Sequence, residues 1–209
     1  MTGGPRMLSV ALTGNVAAGK TTVAQRWRAR GAVIIEADEL VREVQAPGSP
    51  VLDAIAARFG GGVLRPDGSL DRAALRRIAF SDDAARTDLN AIVHPAVQER
   101  RAALLAAAAA RGERLVVSDI PLLFEVLDPA QFDVVVLVDA PVAVRRERLV
   151  RGRGLLPDEV DRLFAAQLPS EGKRARSHIV IDNDGSLDAL RAAADEAWNR
   201  LLDLAGTPA

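Results

Sequence analysis

Residues 133–140 read DVVVLVDA, five consecutive apolar side chains between two aspartates, so a strand here has no polar face. Such a strand needs cover on both sides, which points to a parallel sheet sandwiched between helices. Four other short runs are rich in β-formers: MLSVAL (7–12), AVIIEA (32–37), RLVVSDI (114–120) and SHIVIDN (177–183). Helical runs separate them. TTVAQRWRARG (21–31) sets Val23 and Trp27 one turn apart and stops on Gly31. PAVQERRAALLAAAAARGE (95–113) opens on a proline and is dense in alanine. A helix is therefore expected to start at Pro95, with His94 at its entrance. SLDALRAAADEAWNRLLDLAG (186–206) closes the chain with helical spacing. The alternation predicts a doubly wound α/β fold, a three-layer α/β/α arrangement around a five-stranded parallel sheet.

Two regions interrupt the alternation. Residues 47–112 hold helical pieces and turns such as FGGGVLRPDGSLD but no convincing strand, and read as a helical insert. Residues 145–176 are charged and helical, with RGRG and LPSEGKR, a composition suited to a lid. The core is then 7–46, 113–144 and 177–209, within one domain of 209 residues. With 27 Lys+Arg against 28 Asp+Glu there is no global basic field, so nucleic acid is not an expected partner. The absence of cysteine excludes disulfides and thiolate chemistry. No run has the length of a membrane span or the pattern of a signal peptide, so a cytoplasmic protein without a membrane partner is expected. Residues 1–6 read as an extension, and Met7 as an alternative start.

Between the first strand and the first helix lies GNVAAGKT, residues 14–21. It matches G-x-x-x-x-G-K-[ST], in the strand-before, helix-after context that gives the pattern meaning. Gly14 and Gly19 permit backbone angles that larger residues resist. The N–H groups of Asn15, Val16, Ala17, Ala18 and Gly19 then converge on phosphate oxygens at a helix N-terminus. Lys20 reaches the β- and γ-phosphates, the Thr21 hydroxyl holds Mg²⁺, and Thr22 completes the cradle. The ligand expected is a nucleoside triphosphate.

Two acids follow strands. Asp119 ends the apolar run of VVSDIPLLFE, where ligands gather in open α/β sheets. It is a candidate to orient Mg²⁺ and its water, or alternatively to cap the following turn. Asp38, in VIIEADELVRE, follows the second strand. A carboxylate there suits a general base for an attacking hydroxyl, a helix cap, or both. Glu36 reads as structural.

These residues carry a resemblance to the dephospho-coenzyme A kinases. ALTGNVAAGKTTVA, EADELVREVQAPGSPVLDAIAARFG, GSLDRAALRRIAFSD, LNAIVHPAV, DIPLLFE, VVVLVDAP and AAQLPSEGKRARSHIVIDNDGSLDAL resemble that family's segments, in order, over nearly the whole chain. The resemblance implies a P-loop kinase fold and phosphorylation of the ribose 3′-hydroxyl of dephospho-CoA by ATP. It implies Asp38 as base, and Arg42, His94, Pro121, Leu122 and Leu123 as acceptor-site residues. Arg148 and Arg151 would belong to a lid closing on ATP, and Asn183 and Gly185 would lie near the adenine. Glu36 stands where the family usually has aspartate, Ala17 and Ala18 replace Gly-Ser, Thr21 replaces serine, and Arg145 replaces a frequent glutamine.

Some readings stay open at this level. Arg145, Arg148 and Arg151 share a helix face. That face is either a solvated stripe or a source of one charge for a transferring phosphoryl group. His94 is either an acceptor-site residue or structural. Lys173, Arg174 and Arg176 either reach the nucleotide or form a solvated charge run, the second being the favoured reading. A kinase for another small hydroxyl compound, and a nucleotide-dependent switch, are the competing functions. The oligomeric state is not legible.

Overall fold

The structure, a computed structural model, describes residues 7–206. In chain order the main elements are β1 (Leu8–Gly14), α1 (Lys20–Ala29), β2 (Val33–Glu36), α2 (Ala37–Val44), α3 (Pro50–Phe59), α4 (Arg72–Ser81) and α5 (Asp83–Ala110). They continue with β3 (Leu115–Asp119), α6 (Leu123–Val126), β4 (Val134–Asp139), α7 (Val142–Arg153), α8 (Pro157–Ala165), α9 (Ser170–Arg174), β5 (Ile179–Asp182) and α10 (Leu187–Gly206). The strands form a five-stranded sheet in the order β2-β3-β1-β4-β5. The pairs β1–β3, β1–β4 and β4–β5 are parallel. This is the three-layer α/β/α fold expected from strands with no polar face, and β3 and β4 are buried at every position.

The chain divides into two compact units. One runs to Ile34 and resumes at Ala108; the other is Ile35–Ala107. In the sheet unit, Val10, Leu12, Val117 and Val136 form a core with Trp27 and Trp198. The two indole rings lie 5.7 Å apart, and the Trp27 indole N–H donates to the Ala194 carbonyl at 2.7 Å, so α1 and α10 are locked together. The helical unit has its own core of Leu52, Ile55, Val63, Leu70, Leu75 and Val93. Ser49 caps α3, accepting from Leu52 N, and Asp71 caps α4, accepting from Ala73 N and Ala74 N.

One boundary differs from the sequence reading. α5 does not start at Pro95 but runs through it from Asp83, so His94 lies inside a helix and not at its entrance. The physical reason is length: a helix of 28 residues tolerates one lost N–H bond when its other turns hold. Residues 1–6, with the reading of Met7 as a start, lie outside the described residues.

Candidate active site

The loop between β1 and α1 is set by sterics on both sides. Gly14 pairs in register with Val138 of β4, and a Cβ on it would sit 2.5 Å from the Val138 carbonyl oxygen. Its glycine answers to close packing against β4, not to an unusual backbone angle. Gly19 is different: its φ is +103°, and a Cβ would sit 2.2 Å from the Asn183 side-chain nitrogen. Ala17 also has positive φ, 61°, a conformation alanine resists.

That strained loop is held by side chains from far along the chain. The Asn183 side-chain N–H donates to the Ala18 carbonyl at 2.7 Å. Arg148 donates to the Ala17 carbonyl at 3.2 Å and to the Asn183 side-chain oxygen at 3.0 Å. Because a trans peptide points C=O and N–H to opposite sides, fixing the Ala18 carbonyl turns the Gly19 N–H the other way. The Thr22 N–H donates to the Gly19 carbonyl at 3.0 Å, while those of Lys20 and Thr21, at the first two positions of α1, precede the helix's own ladder and add positive potential there. The Lys20 ammonium forms an ion pair with Asp119. A lysine has three N–H donors, so this pair orients Lys20 and still leaves it donors for an anion.

A second layer stands behind the loop. Lys173, only 1% exposed, donates to the Asn15 side-chain oxygen and to Glu125 Oε1, each at 2.6 Å. The Asn15 amide donates to Ser170 Oγ at 3.0 Å, and Ser170 donates to Asp139 at 2.8 Å. The Val16 N–H donates to Gln167 Oε1 at 3.0 Å. Arg174 bridges Asp139 at 3.0 Å and Asp182 at 2.5 Å. The hydrogen bond to Asp182 is the main cause that raises its already high pKa further. Residues 167–174 thus engage the front half of the loop, while Arg148 and Asn183 engage its back half.

The sequence reading of Lys173 as solvated is overturned here, while Arg174 is exposed as expected but ion-paired. Lys173 is buried because α9 lies against Asn15 and Glu125, and Arg174 is engaged by two carboxylates. Arg176 lies over the Phe124 ring at 4.9 Å. Asp139 was also missed, although it ends an apolar strand as Asp119 does, the same signal already used once. Nothing local marks Gln167 or Ser170.

The three arginines of α7 separate. Arg145 is buried, donates to the Ala140 carbonyl at 3.0 Å and stacks on Phe164 at 4.8 Å; burial pushes its pKa down. Arg148 joins the loop. Arg151 is 80% exposed and pairs with Glu147 on its own helix at 2.7 Å. Of the other expected residues in this unit, Thr22 and Pro121 are half-buried, while Thr21, Leu122 and Gly185 are exposed. Pro121 accepts from Thr13 Oγ1 at 3.3 Å. Leu123 is fully buried, so its side chain packs in the interior and does not line a binding surface.

In the helical unit, Asp38 is exposed in the first turn of α2 and, with Glu39, complements the helix dipole. It is not the cap, because that position is Glu36. Arg42 follows one turn later, also exposed, and His94 is exposed on α5.

A strand, a glycine-bounded loop whose carbonyls are pulled back, and a lysine at the head of a helix define a P-loop phosphotransferase. Comparison with known proteins narrows the class. The family model "Dephospho-CoA kinase" matches residues 8–189, and the chain belongs to that family. It is 45% identical over 195 residues to "Dephospho-CoA kinase" of Thermobifida fusca, covering 93% of this chain and 96% of that one. It is 48% identical over 200 residues to "Dephospho-CoA kinase" of Anaeromyxobacter dehalogenans, covering 96% of this chain and 93% of that one. Among solved structures, that of TT1252 from Thermus thermophilus superposes with a TM-score of 0.79 at 33% identity, over 94% of this chain and 98% of that one.

Proposed function

We propose that this chain is an enzyme that transfers the γ-phosphoryl group of ATP to the ribose 3′-hydroxyl of dephospho-CoA, giving CoA and ADP, the last step of CoA synthesis. The observation that carries the reading is the phosphate loop, held by Arg148, Asn183 and Lys173, in a chain of this family.

In the reaction, the acceptor oxygen forms a bond to the γ-phosphorus as the bond to the β,γ-bridging oxygen breaks. The hydroxyl proton passes to Asp38, and ADP leaves. Lys20 and the remaining loop N–H groups hold the β- and γ-phosphates; the Val16 and Ala18 N–H groups, expected from the sequence to do the same, are instead engaged by the Gln167 side chain and the Asn15 carbonyl, each at 3.0 Å. Arg148 supplies a second cation beside the loop. Catalysis is mostly positioning and electrostatics. Asn15, Val16, Ala17, Ala18, Gly19, Thr21 and Thr22 contact ATP, and Asn183 with Gly185 lies toward its base. Arg42, His94, Pro121 and Leu122 face the acceptor.

Mg²⁺ would be held by Thr21 and Asp119. No group of three or more acidic, His or Cys side chains capable of holding a metal occurs among the described residues. A hydroxyl and one carboxylate suit an ion that takes most of its oxygens from phosphates and water. Bound there, it would offset phosphate charge.

The test is ADP formation by the purified chain with ATP and Mg²⁺, with and without dephospho-CoA, and mass detection of the product. Strong stimulation with CoA formed supports the reading. ATP binding without stimulation removes the acceptor and turns attention to other small hydroxyl compounds.

A further inference from the structure

The sheet unit carries a cluster of polar side chains that no step of the transfer uses. Glu125 of α6 accepts from two donors on one oxygen, the Leu168 N–H at 3.0 Å and the Lys173 ammonium at 2.6 Å. Arg176 lies over the ring of Phe124, the residue before it. Residues 167–176 are therefore docked on α6, the helix that follows Asp119 and the turn at Pro121 and Leu122. From that base three side chains reach the phosphate loop. Gln167 accepts from the Val16 N–H at 3.0 Å, Ser170 accepts from the Asn15 amide at 3.0 Å, and Lys173 donates to the Asn15 side-chain oxygen at 2.6 Å. Both polar ends of the buried Asn15 side chain are thus taken by this one segment.

These contacts fall on one end of the loop. Asn183 and Arg148 hold Ala17 and Ala18, and Asn183 lies toward the base of ATP. Gln167, Ser170 and Lys173 hold Asn15 and Val16 from the α6 side, where Pro121 and Leu122 face the acceptor. A nucleotide laid along the loop has its base at one end and its γ-phosphoryl group at the other, beside the acceptor. The grip of residues 167–173 is therefore at the end where bonds change. It is also a stiff grip. A buried ammonium shared between an amide oxygen and a carboxylate resists displacement, because moving either partner leaves charge unpaired in the interior.

We propose that Gln167, Ser170 and Lys173 are positioning residues for the γ-phosphoryl group: they fix the front half of the phosphate loop against α6, so that the terminal phosphoryl of ATP is held toward the acceptor. They touch the loop and not the reacting atoms, and Lys173 acts through Asn15. The proposal rests on ATP being the donor and on the α6 side being the acceptor side. It separates the two ends of the loop by what they sense. Loss of the front grip is felt by a nucleotide that has a γ-phosphate and not by one that lacks it.

The experiment is calorimetric binding of ATP and of ADP, each with Mg²⁺, to the full chain, comparing wild type with Gln167→Ala, Ser170→Ala and Lys173→Met, followed by kcat with dephospho-CoA. The Kd for ATP should rise about fivefold for Gln167→Ala or Ser170→Ala and about tenfold for Lys173→Met, the weights of a neutral and a charged hydrogen bond. The Kd for ADP should stay within about twofold, and kcat should fall about tenfold, as misplacement of a reacting group predicts. Adding Lys173→Met to Asn15→Ala should change the ATP-to-ADP affinity ratio no further, since both act at one contact. Equal losses for ATP and ADP, or no change in ATP affinity and kcat for both Gln167→Ala and Ser170→Ala, overturn the positioning role. No turnover of dephospho-CoA by wild type overturns the acceptor, and the ATP-to-ADP ratio then still decides the grip on the loop. Binding of neither nucleotide by wild type overturns both. If Lys173→Met melts early, Gln167→Ala and Ser170→Ala decide, because those half-buried side chains carry no charge whose loss would strand a partner.

Discussion

In the sheet unit Lys20, Lys173 and Arg174 each end on a carboxylate carried by a strand end or the short helix α6: Asp119, Glu125, and Asp139 with Asp182. In the helical unit Asp38, Arg42 and Arg76 end on no oppositely charged partner among the described residues. Surface pairs such as Arg58–Asp88, Arg86–Asp83 and Arg100–Glu43 do occur there. The contrast separates a loop that must be held in shape from a helical surface that need not be. A loop with positive φ at Ala17 and Gly19 keeps its shape only if its carbonyls and side chains are tied down. A helix surface needs no such ties, because its backbone hydrogen bonds hold its shape and its exposed charges can stay solvated.

The largest expected effect breaks the first half of that contrast. Lys20→Ala should lower kcat about 10³–10⁵-fold, the scale on which a cation at a transferring phosphoryl group counts. The melting temperature should hardly move; near-normal turnover would remove Lys20 from the chemistry. Asp38→Asn comes next, with a loss of about 10²–10⁴ in kcat and little change in ATP affinity by calorimetry. Because Asp38 is exposed and is not the cap of α2, its variant should unfold in denaturant like the parent.

Lys173→Met sharpens the comparison on stability. It leaves Glu125 partly buried with no cation, and Glu125 Oε2 already lacks a hydrogen-bond partner among the described residues. A cost of about 3–5 kcal/mol is expected in urea unfolding. Arg76→Ala, the free cation of the other unit, should shift stability by less than about 0.5 kcal/mol. Equal costs for the two would dissolve the distinction drawn here.

The smallest effect concerns the surface pair that ties α1 to α10. Asp195 accepts hydrogen bonds from Arg26 and, secondarily, Arg30, which bring its pKa from 3.8 down to about 2. A carboxylate depressed in the folded state adds stability that is full above 3.8 and fades as pH falls through about 2. The melting temperature of wild type minus that of Asp195→Asn should therefore shrink across that window and stay flat above it. The pair is exposed, so the difference is small throughout.

What the sequence determined alone was whatever rests on local pattern. DVVVLVDA has no polar face, so it had to be a covered strand. GNVAAGKT between strand and helix had to be a phosphate loop, and the family followed from the order of its segments. Asp119 was legible because a carboxylate ending a buried strand is conspicuous, and Asp139 was equally legible by that rule but went unread. The tertiary structure decided the rest. Arg145, Arg148 and Arg151 have identical spacing, yet one is buried, one grips the loop and one faces solvent, because what lies opposite each is set by β4, β5 and α8. Lys173 read as solvated charge but is buried against Asn15 and Glu125, and Arg174, exposed as expected, is paired with Asp139 and Asp182. Apart from Asp182, eight residues from Arg174, these partners are separated by 35 to 158 residues and leave no periodic trace. Sequence pattern reports which face of an element is apolar, and only packing reports which distant group its polar atoms will find.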